Sequence, residues 1–182
     1  MSSDLTYQAL EELSRELNII EELGDNDDAS IRRIIIRSAF ASIEALTSAI
    51  MSTALPALTD TALTDPKAAN DPTTFLEIVA LSDMSYSIDD RGSLKIEPLR
   101  APLRNRLLFA LAMLAKSNGV NLKPNQVSGW NDFLKAIKIR DRITHPSDLD
   151  DLSVSKEDYQ IVITALQWAV RCHHRACGGT IF

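Results

Sequence analysis

The sequence predicts an all-α protein: an up-and-down bundle of about five main helices carrying one small β-hairpin insertion. Three observations predict it. Glycine is scarce, with 6 in 182 residues, and 7 prolines are too few for a strand-and-turn architecture. Apolar residues recur at spacings of three and four over long stretches, the signature of amphipathic helices. Strict apolar–polar alternation, the signature of strands, occurs in one short region only. The composition, 45% hydrophobic and 24% charged, is that of a chain able to bury a core. The length suits a single domain over residues 1–182. Aromatic residues make up only 5%, so the core must be built from Leu, Ile, Val and Ala.

Residues 4–23 are predicted as the first helix, with Leu10, Leu13, Leu17 and Ile20 as its apolar stripe and Gly24 as its stop. The acidic run 25–28 turns and supplies helix-starting acids. Residues 29–55 form the second helix, with Ile36, Phe40, Ile43, Leu46 and Ile50 along one face. Arg37 and Glu44 are seven apart and share a face beside that stripe. They make either a charge pair at the edge of the core or the edge of a pocket. The longest apolar stretch, 34–58, contains both of these charges, which are costly in a bilayer, so it reads as a core helix and not a membrane span.

Three prolines (Pro56, Pro66 and Pro72) predict a loop over residues 56–72. A short helix is expected at 74–81. Met84, Tyr86 and Ile88 then alternate with polar residues, residues 89–93 turn, and Leu94 and Ile96 alternate again, which predicts a β-hairpin. Residues 56–98 are thus expected to be a loop-and-hairpin insertion in the helical domain. The third main helix spans 99–117, with Arg100, Arg104 and Arg106 near its start. The positive helix end does not favour these cations, which leaves solvation or phosphate contact as their reason. Residues 130–145 form the fourth helix, stopped by Pro146. Residues 155–176 form the fifth, opened by a capping box at Ser155 and Asp158.

The net charge of −6 argues against a protein that coats nucleic acid non-specifically, while leaving room for a local basic pocket. Gly-x-Gly-x-x-Gly, P-loop, Glu-x-x-His and nucleophile-elbow patterns are all missing, so no cofactor is expected. The two cysteines are too few for a disulfide scaffold, and no signal peptide is legible at the N-terminus, so a cytoplasmic setting is expected. Cys172, His173, His174 and Cys177 have metal-ligand chemistry but lie within six residues of one helix, where they point around the axis. No metal site is therefore predicted. Trp130 and Trp168 read as core or interface anchors rather than platforms for nucleic-acid bases.

One segment carries chemistry: Ile139-Arg140-Asp141-Arg142-Ile143-Thr144-His145-Pro146. Histidine titrates near neutral pH and can move a proton at a ribose 2′-hydroxyl or at a leaving oxygen. Arginine stays charged and grips a phosphate through paired hydrogen bonds, which stabilises a phosphorane. Positions five apart sit roughly 140° apart around a straight helix. Arg140 and His145 would therefore meet only through distortion before Pro146 or across a two-fold axis.

This segment resembles the motif of the HEPN family, helical proteins with Arg-x(4–6)-His in which the residue after the arginine is commonly Asn, Asp or His. The resemblance extends loosely to a helical hairpin early in the chain, here 31–50, and to 130–152. It implies a helical bundle that dimerises so that two motifs face each other. It also implies metal-independent endoribonuclease activity, in many members within toxin–antitoxin or anti-phage systems. Arg140 would hold the phosphate, His145 would transfer the proton and Asp141 would orient one of them. Arg142, Thr144, Arg37 and Glu44 are candidate substrate-binding neighbours. The implied partners are RNA, a second copy of the chain and an antitoxin or regulatory protein. The alternative is a non-catalytic helical interaction module of the same type.

Overall fold

The computed structural model describes residues 28–179 together with Arg15 and Ile19. The predicted first helix, 4–23, lies outside the described residues apart from those two. The described elements are α1 (Ala29–Thr64), α2 (Pro66–Ala69), α3 (Pro72–Leu81), β1 (Met84–Ile88), β2 (Leu94–Pro98), α4 (Leu103–Ser117), α5 (Trp130–Thr144) and α6 (Lys156–Ala176). Short 3-10 turns occur at Pro124–Gln126 and Asp150–Leu152. The protein is mostly helical, and the one sheet among the described residues is the antiparallel β1–β2 hairpin.

The four long helices share one core. Ile36, Ile43, Leu46 and Ile50 of α1 meet Leu107 and Leu111 of α4, Phe133 and Ile143 of α5, and Leu166 and Trp168 of α6. Each such side chain contributes roughly 1.5–3 kcal/mol by leaving water. α1 is the one described helix long and apolar enough to cross a membrane. Here its apolar side is buried against α4 and α6. Its first turns carry Arg32 and Arg33, which donate to the carbonyls of Val154 (2.8 Å) and Leu152 (2.6 Å). α1 therefore clamps the loop that follows α5.

The expected loop at 56–72 is helical instead. α1 runs through Pro56 to Thr64, and α2 follows after Asp65. A proline inside a helix costs about 3 kcal/mol through a lost hydrogen bond and a ring clash. Burial of Ala54 and Leu58 on either side of Pro56 opposes that cost. Pro66 and Pro72 do not break helices at all. Each sits at the first position of a helix, where the missing N–H would be unpaired anyway. Asp65 and Asp71 cap those starts, accepting from the backbone N–H groups of Lys67 and Thr73 at 2.9 Å each.

The hairpin forms as its alternation predicts, with Tyr86 opposite Ile96 and Ile88 opposite Leu94. Asp89 Oδ1 accepts from the N–H groups of Arg91 and Ser93 at 2.9 Å and so builds the turn. The hairpin leans on α3, and Arg106 of α4 pairs with Asp83 at its base (2.9 Å). The third predicted helix starts at Leu103 rather than 99, because Pro102 disfavours helical backbone at Ala101.

The last two helices are locked together by aromatic rings. Phe133 stacks on Trp168 with centroids 4.6 Å apart, and Trp130 lies 5.4 Å from Trp168. Trp168 donates its indole N–H to the Pro124 carbonyl at 3.2 Å. Gly129, with φ of +102°, opens α5, and a Cβ there would lie 2.8 Å from that of Trp168. The close approach of α5 to α6 therefore requires glycine. The predicted capping box opens α6, with Ser155 and Asp158 exchanging two hydrogen bonds of 3.0 Å.

Candidate functional site

α5 buries Phe133, Ala136, Ile139 and Ile143, which turns Arg140, Asp141 and Thr144 outward near its end. The helix stops because Pro146 follows. His145 is its C-cap, with φ −127° and ψ 61°, and its N–H still donates to the Asp141 carbonyl at 2.9 Å. The imidazole is exposed, and it makes no hydrogen bond or ion pair with any described residue.

Arg140 is the hub of the site. Its guanidinium donates to Glu44 Oε1 of α1 at 3.0 Å and to Asp141 Oδ1 at 3.2 Å. It also lies 5.9 Å from the centroid of the Phe40 ring. The side chain remains 32% exposed, so a ligand can reach it. Arg37 donates to the carbonyl of Ile143 at 3.1 Å, which ties α1 to the C-terminal end of α5. Thr144 donates back to the Arg140 carbonyl at 2.7 Å. Arg37, Glu44, Arg140 and Thr144 line one small recess of about 170 Å³ with Phe40 as its apolar wall.

Five of the seven residues singled out in the sequence therefore lie together: Arg140, Asp141, Glu44, Arg37 and Thr144. His145 stands at the helix end just beyond them and lines neither this recess nor its neighbour. Arg142 is elsewhere. It donates to the Ser153 carbonyl (2.7 Å) and pairs with Asp158 (3.0 Å), so it fixes the loop into α6. The acidic loop after the motif is also self-contained. Asp151 accepts from the N–H of Ser147 (2.7 Å), and Asp148 accepts from that of Asp151 (3.0 Å).

Sequence reasoning passed over the larger recess beside Arg140, whose polar rim includes Arg104 and Lys138. A signal for half of it exists. Leu134, Ile137, Lys138 and Asp141 follow the i, i+3, i+4, i+7 spacing of a single helix face. That face is half apolar and, among the described residues, is only partly covered beside the buried one.

The cysteine and histidine residues at the end of α6 do not converge as a set of four. Cys172 and His173 are buried, whereas His174 and Cys177 are exposed. Burial pushes the Cys172 thiol up to about 12. Burial also pushes His173 below its ordinary value, with the neighbouring His174 adding to the shift. Cys177 Sγ lies 3.7 Å from His173 Nε2. Among the described residues no group of three or more His, Cys, Asp or Glu side chains is placed to hold a metal ion.

No protein-family model matches this chain, and no curated protein or solved structure is significantly similar to it.

Proposed function

We propose that this chain is a metal-independent endoribonuclease of the HEPN type, a cytoplasmic toxin or anti-phage effector that works as a homodimer. The observation that carries the reading is the end of α5. A reachable arginine, Arg140, is flanked by Asp141, and an exposed histidine without a partner among the described residues, His145, caps the same helix. In this reading the Arg140 guanidinium exchanges one of its carboxylate partners for a phosphate oxygen. The His145 imidazole takes the proton of the 2′-hydroxyl, whose oxygen attacks phosphorus. The bond from phosphorus to the 5′-oxygen breaks, and the imidazolium gives its proton to that oxygen. The products are a 2′,3′-cyclic phosphate and a free 5′-hydroxyl. Within one chain His145 lines neither recess that Arg140 lines, so in this reading a second copy brings both to one phosphate, which is the physical reason for a dimer. Asp141 and Glu44 hold the guanidinium in place, and Arg37 and Thr144 border the phosphate.

The test is incubation of RNA with the protein in EDTA. Cleavage is expected for the wild type, with losses of at least about a hundredfold for His145→Ala, the scale of a removed proton-transfer group. Cleavage that needs a divalent metal, or that survives His145→Ala, would sink the mechanism. A second reading, a non-catalytic interaction module with an antitoxin-like or regulatory partner, draws on a specific observation. Arg140 already bonds two carboxylates, Glu44 and Asp141, in a chain of net charge −6. It predicts no cleavage by wild type under any condition.

A further inference from the structure

Beside Arg140 the surface sinks into a trough of about 390 Å³ between α5, α1 and the first turn of α4. Its apolar lining comes from Phe40, Leu103, Leu134 and Ile137. Two further cations, Arg104 and Lys138, line it together with Arg140. Phe40 and Arg140 also line the smaller recess that holds Arg37 and Thr144, so the two depressions meet at the guanidinium.

The charge state of the rim is what separates this trough from an ordinary surface dip. The two nearby carboxylates, Glu44 and Asp141, both bond Arg140. Among the described residues Arg104 bonds only the side-chain oxygen of its neighbour Asn105, at 3.2 Å, and Lys138 bonds none. Two exposed cations with no carboxylate partner among the described residues thus flank an apolar floor in a chain whose overall charge is −6. The complement is a ligand with a flat apolar face and anionic groups beside it. An unpaired nucleotide in a polynucleotide has both. A duplex has the anions but keeps its base faces stacked, and the deep, narrow major groove of A-form RNA does not admit side chains.

We infer that this trough seats the base of an unpaired nucleotide next to the phosphate at Arg140, with Arg104 and Lys138 on backbone phosphates, so the substrate is single-stranded RNA. The inference rests on the ribonuclease reading for the identity of the polymer. The base packs on the half-buried Leu103, Leu134 and Ile137, with the Phe40 ring beneath them, and the order of selectivity is single strand over duplex. Base packing on an apolar or aromatic platform is tolerant of sequence, so weak sequence preference is part of the assignment.

The experiment uses the full chain carrying His145→Ala, so that cleavage does not interfere. Binding of a fluorescent single-stranded RNA, and of a hairpin duplex of equal length, is followed by anisotropy over a salt series. The same is done after adding Arg104→Ala and Lys138→Ala, both exposed positions, with circular dichroism as the control for folding. The single strand is expected to bind about tenfold or more tighter than the duplex, since base stacking is available to it alone. The double variant is expected to weaken it and to flatten the slope of log affinity against log salt by about 1.4, roughly 0.7 for each phosphate left without its cation. Equal affinity for duplex and single strand, an unchanged double variant, or no binding of either RNA overturns the inference. A wild-type cleavage assay on the same RNA separates the two ideas. Cleavage indifferent to Arg104→Ala and Lys138→Ala removes the trough and keeps the ribonuclease. Trough-dependent binding without cleavage removes the ribonuclease and keeps the trough.

Discussion

At the scale of single residues, burial shifts the titration of Cys172, His173 and Cys177 at the end of α6. His173 is 4% exposed, and burial holds its folded pKa below the ordinary 6.5. The unfolded chain therefore binds the proton first as pH falls. The stability linked to His173 is fully present above about 6.5 and is lost as pH drops below that value toward the folded pKa. We expect the urea midpoint to fall between pH 7.5 and pH 5.5, and His173→Leu to flatten that part of the profile. An equal slope in the variant would show that another group is responsible. The residues of the motif were legible in the sequence because their chemistry is local: Arg140, Asp141 and His145 are fixed by helix spacing and by Pro146. Arg142 was not legible as a structural residue. Its partners, the Ser153 carbonyl and Asp158, lie on the far side of a loop, and no periodicity reveals which way a surface arginine turns. Lys138 was passed over, and Arg104 was legible as a cation open to phosphate contact but not as part of a site, since the trough exists only once three helices are packed.

At the scale of elements, the sequence pattern located α4, α5, α6 and the hairpin within a few residues. It failed where a local rule met a tertiary one. Pro56 by itself argues for a helix end, yet α1 passes through it, because Ala54 and Leu58 lie in the core on either side. The proline is exposed, so its ring contributes little packing and its backbone cost remains. Replacing it by alanine restores an N–H donor and removes the ring clash, a gain of up to about 3 kcal/mol. The unfolded chain gains freedom at the same time, which takes back about 0.4–1 kcal/mol. Pro56→Ala is thus expected to stabilise the protein by about 1–2 kcal/mol, read from the urea midpoint at unchanged m-value. A lower midpoint would mean that α1 needs the bend a proline imposes. Pro66 and Pro72 are different: each starts a helix behind an aspartate cap, and alanine there should bring little or no gain.

At the scale of the whole molecule, the question is how one arginine and one histidine that share no recess could act on one phosphate. Within one chain His145 lies outside both recesses that Arg140 lines. Under the proposed function, the two groups meet across the axis of a dimer, with Arg140 of one copy facing His145 of the other. That arrangement makes a prediction no single-chain site shares. Arg140→Ala and His145→Ala should each be inactive alone. Unfolded together and refolded as a mixture, half of the dimers would be mixed. Each mixed dimer would contain one cleft with both residues intact and one with both missing, so about a quarter of the wild-type cleavage should return. If the arginine and histidine of one site belong to the same chain, every cleft in the mixture still lacks one of them and no activity returns. Activity that fails to reappear, with dimers confirmed by light scattering, would place the whole reaction within a single subunit.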